Sequence, residues 1–339
     1  MTETYTTPLK PAHPVKKVLK WIFIILGILL AGVLAIILVL GFFPISTGNM
    51  DSEPNPSQSY EDSMARFEEV QQAEVGIVNE TSGSVLLTHG EKTPQVVVLI
   101  HGITNSPHMW LEFGEMLYEQ GNNVLILRMP YHGLLSHKVS ELSPLKVQDL
   151  RVYADQVVDI ANGLGDEVVV IGISGGGTLA SWMAQNRSEI DQAILLVPFY
   201  GVGGVPSFLT PILKNAFTHL PNFDLTGPGE ILRNWAYQGQ STRGVAAFLA
   251  LTQEVLSQTK SGKVPTIPMV VLTSAIDHTA NNQSTAEFVD LLKKAGGNVD
   301  TFEFDKSLEV PHNSVGPVVD PAKRQIVYDK ILEFLGGQP

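Results

Sequence analysis

The 339-residue sequence contains no cysteine. This absence excludes disulfide bonds, a thiol nucleophile, thiolate metal sites and a lipidated N-terminal cysteine. Basic residues are scarce too, because 22 lysines and arginines face 34 aspartates and glutamates, giving a formal net charge of −12. Such an acidic balance argues against nucleic acid as a partner. The sequence shows neither the paired histidines of a zinc helix nor a dinucleotide-binding glycine pattern, so we expect no metal and no cofactor.

Long hydrophobic runs are absent apart from one near the N-terminus. Residues 21–43 carry no charged side chain, and a helix of this length spans roughly 34 Å, enough for the hydrocarbon core of a bilayer. The run is longer than the apolar part of a cleaved signal peptide, which favours an uncleaved signal anchor. Lysines precede the run and acidic residues follow it. The positive-inside rule therefore predicts a single-pass topology with a cytoplasmic N-terminus and the main domain on the outer, periplasmic or extracellular, side.

After this run, the chain alternates β-branched segments with helical patterns. The alternation predicts an α/β fold with a mostly parallel central sheet and helices on both faces. At one edge of the sheet, residues 74–78 and 84–88 predict an antiparallel hairpin. The predicted strands are residues 96–100, 123–128, 168–171, 193–197, 269–273 and 299–304, and the predicted helices are residues 60–72, 107–120, 145–164, 176–186, 283–295 and 321–335.

The interval 199–265 interrupts the alternation and is rich in glycine and proline. It is too long for a structureless loop in a compact domain, so it predicts an inserted helical cap, either a mobile lid or an ordinary connection with extra helices. The predicted organisation has four parts. These are a cytoplasmic tail (1–20), a transmembrane anchor (21–43), a solvated linker with a leading helix (44–73) and a main domain (74–339) that carries the insertion.

One stretch, residues 167–180, combines a strand-like run, four glycines around a serine, and a helix-like run. The pattern G-x-S-x-G is matched there by Gly172-Ile173-Ser174-Gly175-Gly176. In a strand–turn–helix context this pattern is typical of a sharp turn that projects the serine hydroxyl above the sheet as a nucleophile. A glycine-rich connection, or a phosphate cradle, that happens to contain serine is the alternative.

A serine nucleophile needs an imidazole to take its proton and a carboxylate to orient that imidazole. In folds of this kind the expected chain order is serine, then aspartate or glutamate, then histidine. Asp277 follows the predicted strand 269–273, and His312 follows the last predicted strand. Asp305 is an alternative carboxylate. Because strand ends of a parallel sheet meet at one edge, Ser174, Asp277 and His312 are expected to lie together as catalytic residues.

Acyl transfer also needs hydrogen-bond donors for the oxyanion that forms at the carbonyl. One donor is expected from the backbone N–H of Gly175, directly after the serine. The second is expected from the N–H of Ile103, because the sequence His101-Gly102-Ile103 follows the strand 96–100 and the glycine permits a close turn.

These motifs together resemble the α/β-hydrolase family, in particular its carboxylesterase and monoacylglycerol-lipase members and its serine aminopeptidase-like members. The resemblance covers residues 75–335 and rests on residues 99–104, 128–133 and 172–176 together with Asp277 and His312. It implies a Ser-His-Asp mechanism with an acyl-enzyme and without a cofactor. Tyr131 stands where many relatives have glycine, and the oxyanion loop lacks the multiple glycines of some lipases. Both departures leave the acyl and alcohol preferences open.

The leading hypothesis is a membrane-anchored serine esterase or lipase that acts on a small-molecule ester or lipid, with lipophilic acyl groups favoured. The residues expected to contact substrate are His101, Gly102, Tyr131, Phe199 and Tyr200. One alternative is an aminopeptidase-like or amide hydrolase with the same triad, which would need an acidic group to hold the substrate amine. The acidic residues of the cap are Asp224, Glu230 and Glu254. A non-catalytic, anchored binding module is the other alternative. The sequence does not indicate an oligomeric state.

Overall fold

The computed structural model describes residues 14–42, 46–226 and 234–336. Its first helix, α1 (Pro14–Phe42), contains the stretch Lys16–Val39, which is long and apolar enough to cross a membrane. The mean hydropathy of its most apolar part reaches 3.3, and none of that part is buried inside the protein. The predicted tail up to residue 13 and the last residue of the predicted span, Phe43, lie outside the described residues.

The segment 46–59 follows the apolar helix and packs against the main domain, although its polar composition predicts a solvated linker. Met50 is buried in the hydrophobic core. The backbone N–H of Asn55 donates to the carboxylate of Asp159 over 3.0 Å, and the N–H of Ser57 donates to the carbonyl oxygen of Asp159 over 2.9 Å. The polar groups of this segment are therefore satisfied by the domain as well as by solvent.

The leading helix, α2 (Tyr60–Glu74), is capped at its N-terminus by Ser59, whose side chain accepts a hydrogen bond from the N–H of Asp62. After α1, the described residues form eight α-helices, of which α2 is the first, and nine β-strands. They continue, in chain order, as β1 (Val85–Leu87), β2 (Thr93–Ile100), α3 (Leu111–Glu119), β3 (Asn123–Ile126), α4 (Val147–Ala161), β4 (Gly165–Ile173), α5 (Gly175–Asn186), β5 (Gln192–Leu196), α6 (Thr210–His219), β6 (Asp224–Leu225), β7 (Gln240–Ser241), α7 (Thr242–Lys260), β8 (Met269–Ser274), α8 (Asn282–Lys294), β9 (Val299–Phe304) and α9 (Pro321–Phe334).

Seven strands form one sheet in the order β1-β3-β2-β4-β5-β8-β9. Strands β3, β2, β4, β5, β8 and β9 pair in parallel, and β1 pairs antiparallel with β3 at the edge. The predicted α/β fold with a mostly parallel sheet is confirmed. The carboxyl ends of the parallel strands all lie at one edge of this sheet, where ligands bind in open α/β folds.

Helices cover both faces of the sheet, so its central strands are apolar on both sides. On β4, for example, Val168 and Val170 face a core cluster shared with α4, α5, α7 and α8, whereas Val169 and Ile171 face a second cluster shared with α3 and α9. This two-sided burial explains why the central strands read as unbroken β-branched runs in the sequence.

The predicted edge hairpin was wrong. Helix α2 extends to Glu74, and the strand expected at residues 74–78 is not formed. The carboxylate of Glu74 instead forms a 2.9 Å ion pair with Arg128 and accepts a 2.8 Å hydrogen bond from the N–H of Ser84. The edge strand β1 finds its partner in β3, with Val85 opposite Ile126. A contact between distant segments therefore replaces the local hairpin.

The interval 199–265 divides into two parts. Helix α7 packs beside α5 and α4 and buries Phe248, Leu249 and Leu251, as the ordinary crossover helix between β5 and β8 does. The additional structure consists of α6 and of the two-residue strands β6 and β7, which pair antiparallel. Residues 227–233 of the predicted cap lie outside the described residues.

Candidate active site

The turn between β4 and α5 holds Ser174 in an unusual backbone conformation, with φ 56° and ψ −121°. A non-glycine residue rarely adopts a positive φ, and such strain persists only where the surroundings hold it in place. Here the N–H of Ser174 donates to the carbonyl oxygen of Leu196 over 2.9 Å, and the N–H of Phe199 donates to the carbonyl oxygen of Ser174 over 3.0 Å. The end of strand β5 and the residues that follow it therefore hold both the N–H and the carbonyl of Ser174 in place.

The glycines around the serine are required by backbone contacts. A Cβ atom at Gly172 would lie 2.1 Å from the carbonyl oxygen of Gly176. A Cβ atom at Gly176 would lie 2.4 Å from the carbonyl oxygen of Ile100. Both clashes are with backbone atoms that belong to the sheet and helix, so no side chain can be accommodated at either position.

A continuous chain of hydrogen bonds joins the three residues predicted as the triad. The Nε2 atom of His312 lies 3.0 Å from Oγ of Ser174, and its Nδ1 atom lies 2.7 Å from Oδ2 of Asp277. The other carboxylate oxygen of Asp277 accepts from the N–H groups of Thr279 (2.7 Å) and Ala280 (3.1 Å). Because Asp277 accepts only, Nδ1 carries the proton and Nε2 is left to accept the serine proton.

This chain is largely shielded from solvent. The side chain of Asp277 is fully buried, that of His312 is 11% exposed, and Ser174 as a whole is 5% exposed. The alternative carboxylate, Asp305, is exposed and caps the short 3₁₀-helix that follows β9, where it accepts a 2.8 Å hydrogen bond from the N–H of Ser307. Asp277 is thus the carboxylate that lies against His312.

The loop after β2 lies directly against the serine turn. A Cβ atom at Gly102 would lie 3.5 Å from Cβ of Ser174, and a Cβ atom at Gly175 would lie 2.6 Å from Cγ1 of Ile103. Gly175 is the first residue of α5, so its N–H has no acceptor within the helix. The two segments predicted to supply oxyanion donors are therefore in contact with each other and with the serine.

His101 lies beneath this loop and is fully buried. Its Nε2 atom accepts a 3.0 Å hydrogen bond from the N–H of Met129, so the proton must lie on Nδ1, which donates to the carbonyl oxygen of Gly102 over 2.9 Å. Burial, together with the nearby His132, holds the pKa of His101 well below its usual value. A contact between His101 and substrate stays a prediction. The burial of His101 favours a role in supporting the loop.

A second buried histidine, His132, also contacts the loop. Its Nε2 atom lies 2.6 Å from the carbonyl oxygen of Ile103, and its Nδ1 atom lies 2.8 Å from that of Pro130. Burial lowers the pKa of His132 to about 4, although both carbonyl contacts favour the charged form. The sequence alone indicates no such role for His132; its signal there is the position of the segment 128–133 after a strand.

The other residues predicted to contact substrate occupy different surroundings. Tyr131 is partly buried, has φ 65°, and accepts a 2.9 Å hydrogen bond from the hydroxyl of Tyr237 at its carbonyl oxygen. Phe199 and Tyr200 are buried in the core beside α5, and the Tyr200 hydroxyl is hydrogen-bonded to Ser181. Substrate contacts by these three residues stay predictions.

A segment that the sequence gave no reason to single out, residues 234–239, crosses the oxyanion loop. The N–H of Tyr237 donates to the carbonyl oxygen of Thr104 over 2.8 Å. The ring of Trp235 lies 5.3 Å from that of His108, between ring centroids. This segment therefore ties the extra structure between β5 and β8 to the loop next to Ser174.

The acidic residues considered for an amide substrate do not gather at the serine. Asp224 is exposed on β6. Glu254 accepts hydrogen bonds from Thr47 (3.4 Å) and Gln258 (3.0 Å), and Glu230 lies outside the described residues. Among the residues that the structure describes, no group of three or more histidine, aspartate or glutamate side chains could hold a metal ion.

Comparison with known proteins identifies the family. Residues 97–322 match the model of the alpha/beta hydrolase family, and the chain belongs to this family. It is 25% identical over 204 residues to a thermostable monoacylglycerol lipase from Bacillus sp. (strain H-257), in a match that covers 56% of this chain and 73% of that protein. The prediction of an α/β-hydrolase enzyme is thereby confirmed.

Solved structures share the fold. The monoacylglycerol lipase of Paleococcus ferrophilus superimposes with a TM-score of 0.56 at 17% identity, over 74% of this chain and 98% of that chain. A soluble variant of the monoglyceride lipase of Saccharomyces cerevisiae, in complex with a substrate analogue, superimposes with a TM-score of 0.55 at 13% identity, over 78% of this chain and 94% of that chain. Both of these proteins are lipases by name, and the likeness to them at these identities is one of fold.

Proposed function

We propose that the protein is a membrane-anchored serine hydrolase that cleaves carboxylic esters through an acyl-enzyme. The observation that carries this proposal is the continuous hydrogen-bond chain from Ser174 through His312 to Asp277, on a strained turn at the end of β4. A serine hydroxyl becomes a competent nucleophile when an adjacent imidazole takes its proton and a carboxylate stabilises the imidazolium that results.

In the first half of the reaction, Oγ of Ser174 attacks the ester carbonyl carbon while its proton passes to Nε2 of His312. The carbonyl oxygen becomes an oxyanion, for which the N–H groups of Gly175 and Ile103 are the proposed donors; such donors are worth about 3 to 4 kcal/mol each to the transition state. His312 then gives the proton to the departing alcohol as the carbon–oxygen bond breaks. The acyl group is left on Ser174.

In the second half, water attacks the acyl carbon and His312 takes a proton from that water. Collapse of the second tetrahedral intermediate expels Oγ of Ser174, which recovers its proton from His312, and the carboxylic acid leaves. Throughout, the two backbone N–H groups that donate to Asp277 keep its carboxylate aimed at Nδ1 of His312. No cofactor is required for either half.

A lipophilic acyl group is the proposed substrate preference. Phe248 lies next to the nucleophile, because a Cβ atom at Gly175 would lie 2.7 Å from its ring. Apolar surroundings of this kind favour a hydrocarbon chain over a charged group. The monoacylglycerol lipases among the relatives support the same substrate class.

Anchoring in a membrane is the third element of the proposal. Helix α1 supplies the span, and the lysines at its start, including Lys16, Lys17 and Lys20, favour a cytoplasmic N-terminus by the positive-inside rule. The catalytic domain then lies on the outer side. Protease added to intact cells should digest the domain and leave only an N-terminal fragment; full protection of the domain would contradict this topology.

A serine-directed phosphonate tests the catalytic part directly. The full chain in detergent should lose its activity towards p-nitrophenyl esters as the phosphonate adds once, and peptide mass spectrometry should place the adduct on Ser174. An adduct on another residue, with activity lost in parallel, would contradict the proposed nucleophile. Turnover of aminoacyl anilides faster than that of esters would favour the amide-hydrolase alternative.

A further inference from the structure

A cavity of about 430 Å³ lies between the segment that precedes α4 and the helices α6 and α7. None of Ser174, Asp277 and His312 lines it. Three of the residues that line the cavity are basic, and none of the described residues in its walls is acidic. The basic residues are Lys146, Lys214 and Arg243. This concentration of positive charge stands out on a chain with a net charge of −12.

Lys214 is the most unusual of these residues because it is 96% buried, with only 4% of its surface exposed. Among the described residues, no carboxylate or carbonyl lies within hydrogen-bond or ion-pair distance of its ammonium group. Burial lowers the pKa of Lys214, as expected for a cation without a counterion. A largely buried cation without a described counterion is costly, and an anion in the cavity would reduce that cost.

The remaining walls of the cavity combine hydroxyl groups with small apolar side chains. Ser46 and Ser143 are among the hydroxyl groups, and Ala246, Ala247 and Ala250 form an apolar strip on α7. Cations and hydroxyl groups together suit phosphate oxygens. The adjoining apolar strip suits the acyl portion of an amphiphile.

The cavity lies next to the end of the apolar helix α1. The side-chain amide of Asn215, which follows Lys214 on α6, donates to the carbonyl oxygen of Gly41 over 2.9 Å. A Cβ atom at Gly41 would lie 2.8 Å from the side chain of Ile212, so the last turn of α1 packs closely on α6. If α1 crosses the bilayer as proposed above, the cavity lies at the level of the lipid head groups on the outer side.

We propose that this cavity binds the phosphate head group of one anionic membrane lipid, with Lys214 at the centre and the exposed Lys146 and Arg243 at the mouth. The occupied cavity would join the last turn of α1, the segment 46–47 and the hydrolase domain into one unit at the bilayer surface. The location beside α1 and the apolar strip favour a lipid over free phosphate as the source of the anion.

Thermal unfolding of the full chain in an uncharged detergent tests the inference, with phosphatidylglycerol and phosphatidylcholine of matched acyl chains as probes. Phosphatidylglycerol should raise the melting temperature of the wild type and phosphatidylcholine should not, because a ligand that binds only the folded state stabilises it. Lys214→Met should melt higher than the wild type without lipid, since it removes a buried charge, and should need at least about tenfold more phosphatidylglycerol for the same shift.

Two control variants accompany this measurement. Lys214→Arg keeps the charge and should keep the response, and so should Lys92→Met, which removes a surface lysine paired with Asp166. A full response in Lys214→Met would overturn the inference. The same rise in melting temperature with inorganic phosphate alone would show that free phosphate, and not a lipid, is the bound anion. Ester hydrolysis, measured in the same samples, should be unchanged in Lys214→Met, so a failed lipid response with intact hydrolysis leaves the proposed function standing.

Discussion

His101 donates from Nδ1 to the carbonyl oxygen of Gly102 over 2.9 Å, while the N–H of Met129 holds its other ring nitrogen. The carbonyl of Gly102 and the N–H of Ile103 belong to one peptide unit. Because a trans peptide directs its C=O and N–H to opposite sides, this hydrogen bond fixes the direction in which the N–H of Ile103 points. His101 is thus a positioning residue for the proposed oxyanion donor.

Replacement of His101 should therefore slow catalysis without weakening substrate binding. In His101→Ala we expect kcat for p-nitrophenyl esters to fall by about 10- to 100-fold with KM little changed, since a small misplacement of a donor matters most in the transition state. His89→Ala, at an exposed histidine near Tyr118, is the matched control and should leave both constants unchanged. A rise in KM with an unchanged kcat would instead indicate direct substrate binding by His101.

The two aspartates that compete for the orienting role give a paired test. Asp277→Asn should lower kcat on the order of 10⁴-fold, because an amide favours the wrong tautomer of His312. Asp305→Asn should retain wild-type kcat, since Asp305 is bonded to Ser307 on the surface. The reverse ranking of the two variants in steady-state kinetics would contradict the triad.

The serine turn should not tolerate a methyl group at Gly172. In Gly172→Ala the added carbon would lie 2.1 Å from the carbonyl oxygen of Gly176, so the strand and helix must separate at a cost of more than about 3 kcal/mol. We expect the variant to be insoluble or to melt far below the wild type. Gly83→Ala meets only ordinary contact, 3.4 Å from the side chain of Glu74, and should melt near the wild type. A fully active Gly172→Ala would contradict the geometry of the turn.

Acid should destabilise the domain through its buried histidines. The pKa of His132 is about 4 in the folded protein and about 6.5 in an unfolded chain, so the unfolded state binds more protons between these values. Its stabilising contribution is present above about pH 6.5 and is lost as the pH falls through about 4, with a loss on the order of 3 kcal/mol. Burial also lowers the pKa of His101, so this histidine likewise makes the folded state less stable in acid.

The melting temperature of the full chain, followed from about pH 7.5 down to about pH 4, checks this expectation. The wild type should lose stability as the pH falls below about 6.5. His132→Gln should start lower, because the contact with Ile103 is altered, but should lose less on acidification. An equal loss in the variant, or a rise in melting temperature with acid, would show that His132 does not titrate as described.

Much of the architecture follows from local sequence patterns. The central strands are buried on both faces, so their β-branched runs are distinct. The glycines at the serine turn form a five-residue motif, in which Gly172 contacts Gly176, although the clash at Gly176 is with Ile100 on β2. The order of Ser174, Asp277 and His312 relative to β4, β8 and β9 then predicts that their side chains meet, because parallel strands end at the same edge of the sheet.

The features that could not be predicted depend on contacts between distant segments. Glu74 reads as the start of a strand, yet it is the last residue of helix α2 and forms an ion pair with the distant Arg128. The segment 46–59 reads as solvated because nothing local shows that Asp159 will satisfy its N–H groups. The hydrogen bond from Tyr237 to Thr104 on the oxyanion loop also joins distant segments, and no local pattern predicts it.

The most direct test of the central claim is ester hydrolysis by the full chain and by Ser174→Ala. The wild type should release a burst of p-nitrophenol as the acyl-enzyme accumulates, whereas Ser174→Ala should lose activity by about 10⁶-fold and bind no phosphonate. Ser181→Ala, a buried serine on the same helix that is hydrogen-bonded to Tyr200, should remain active. Hydrolysis by Ser174→Ala at the wild-type rate would contradict the assignment of Ser174 as the nucleophile.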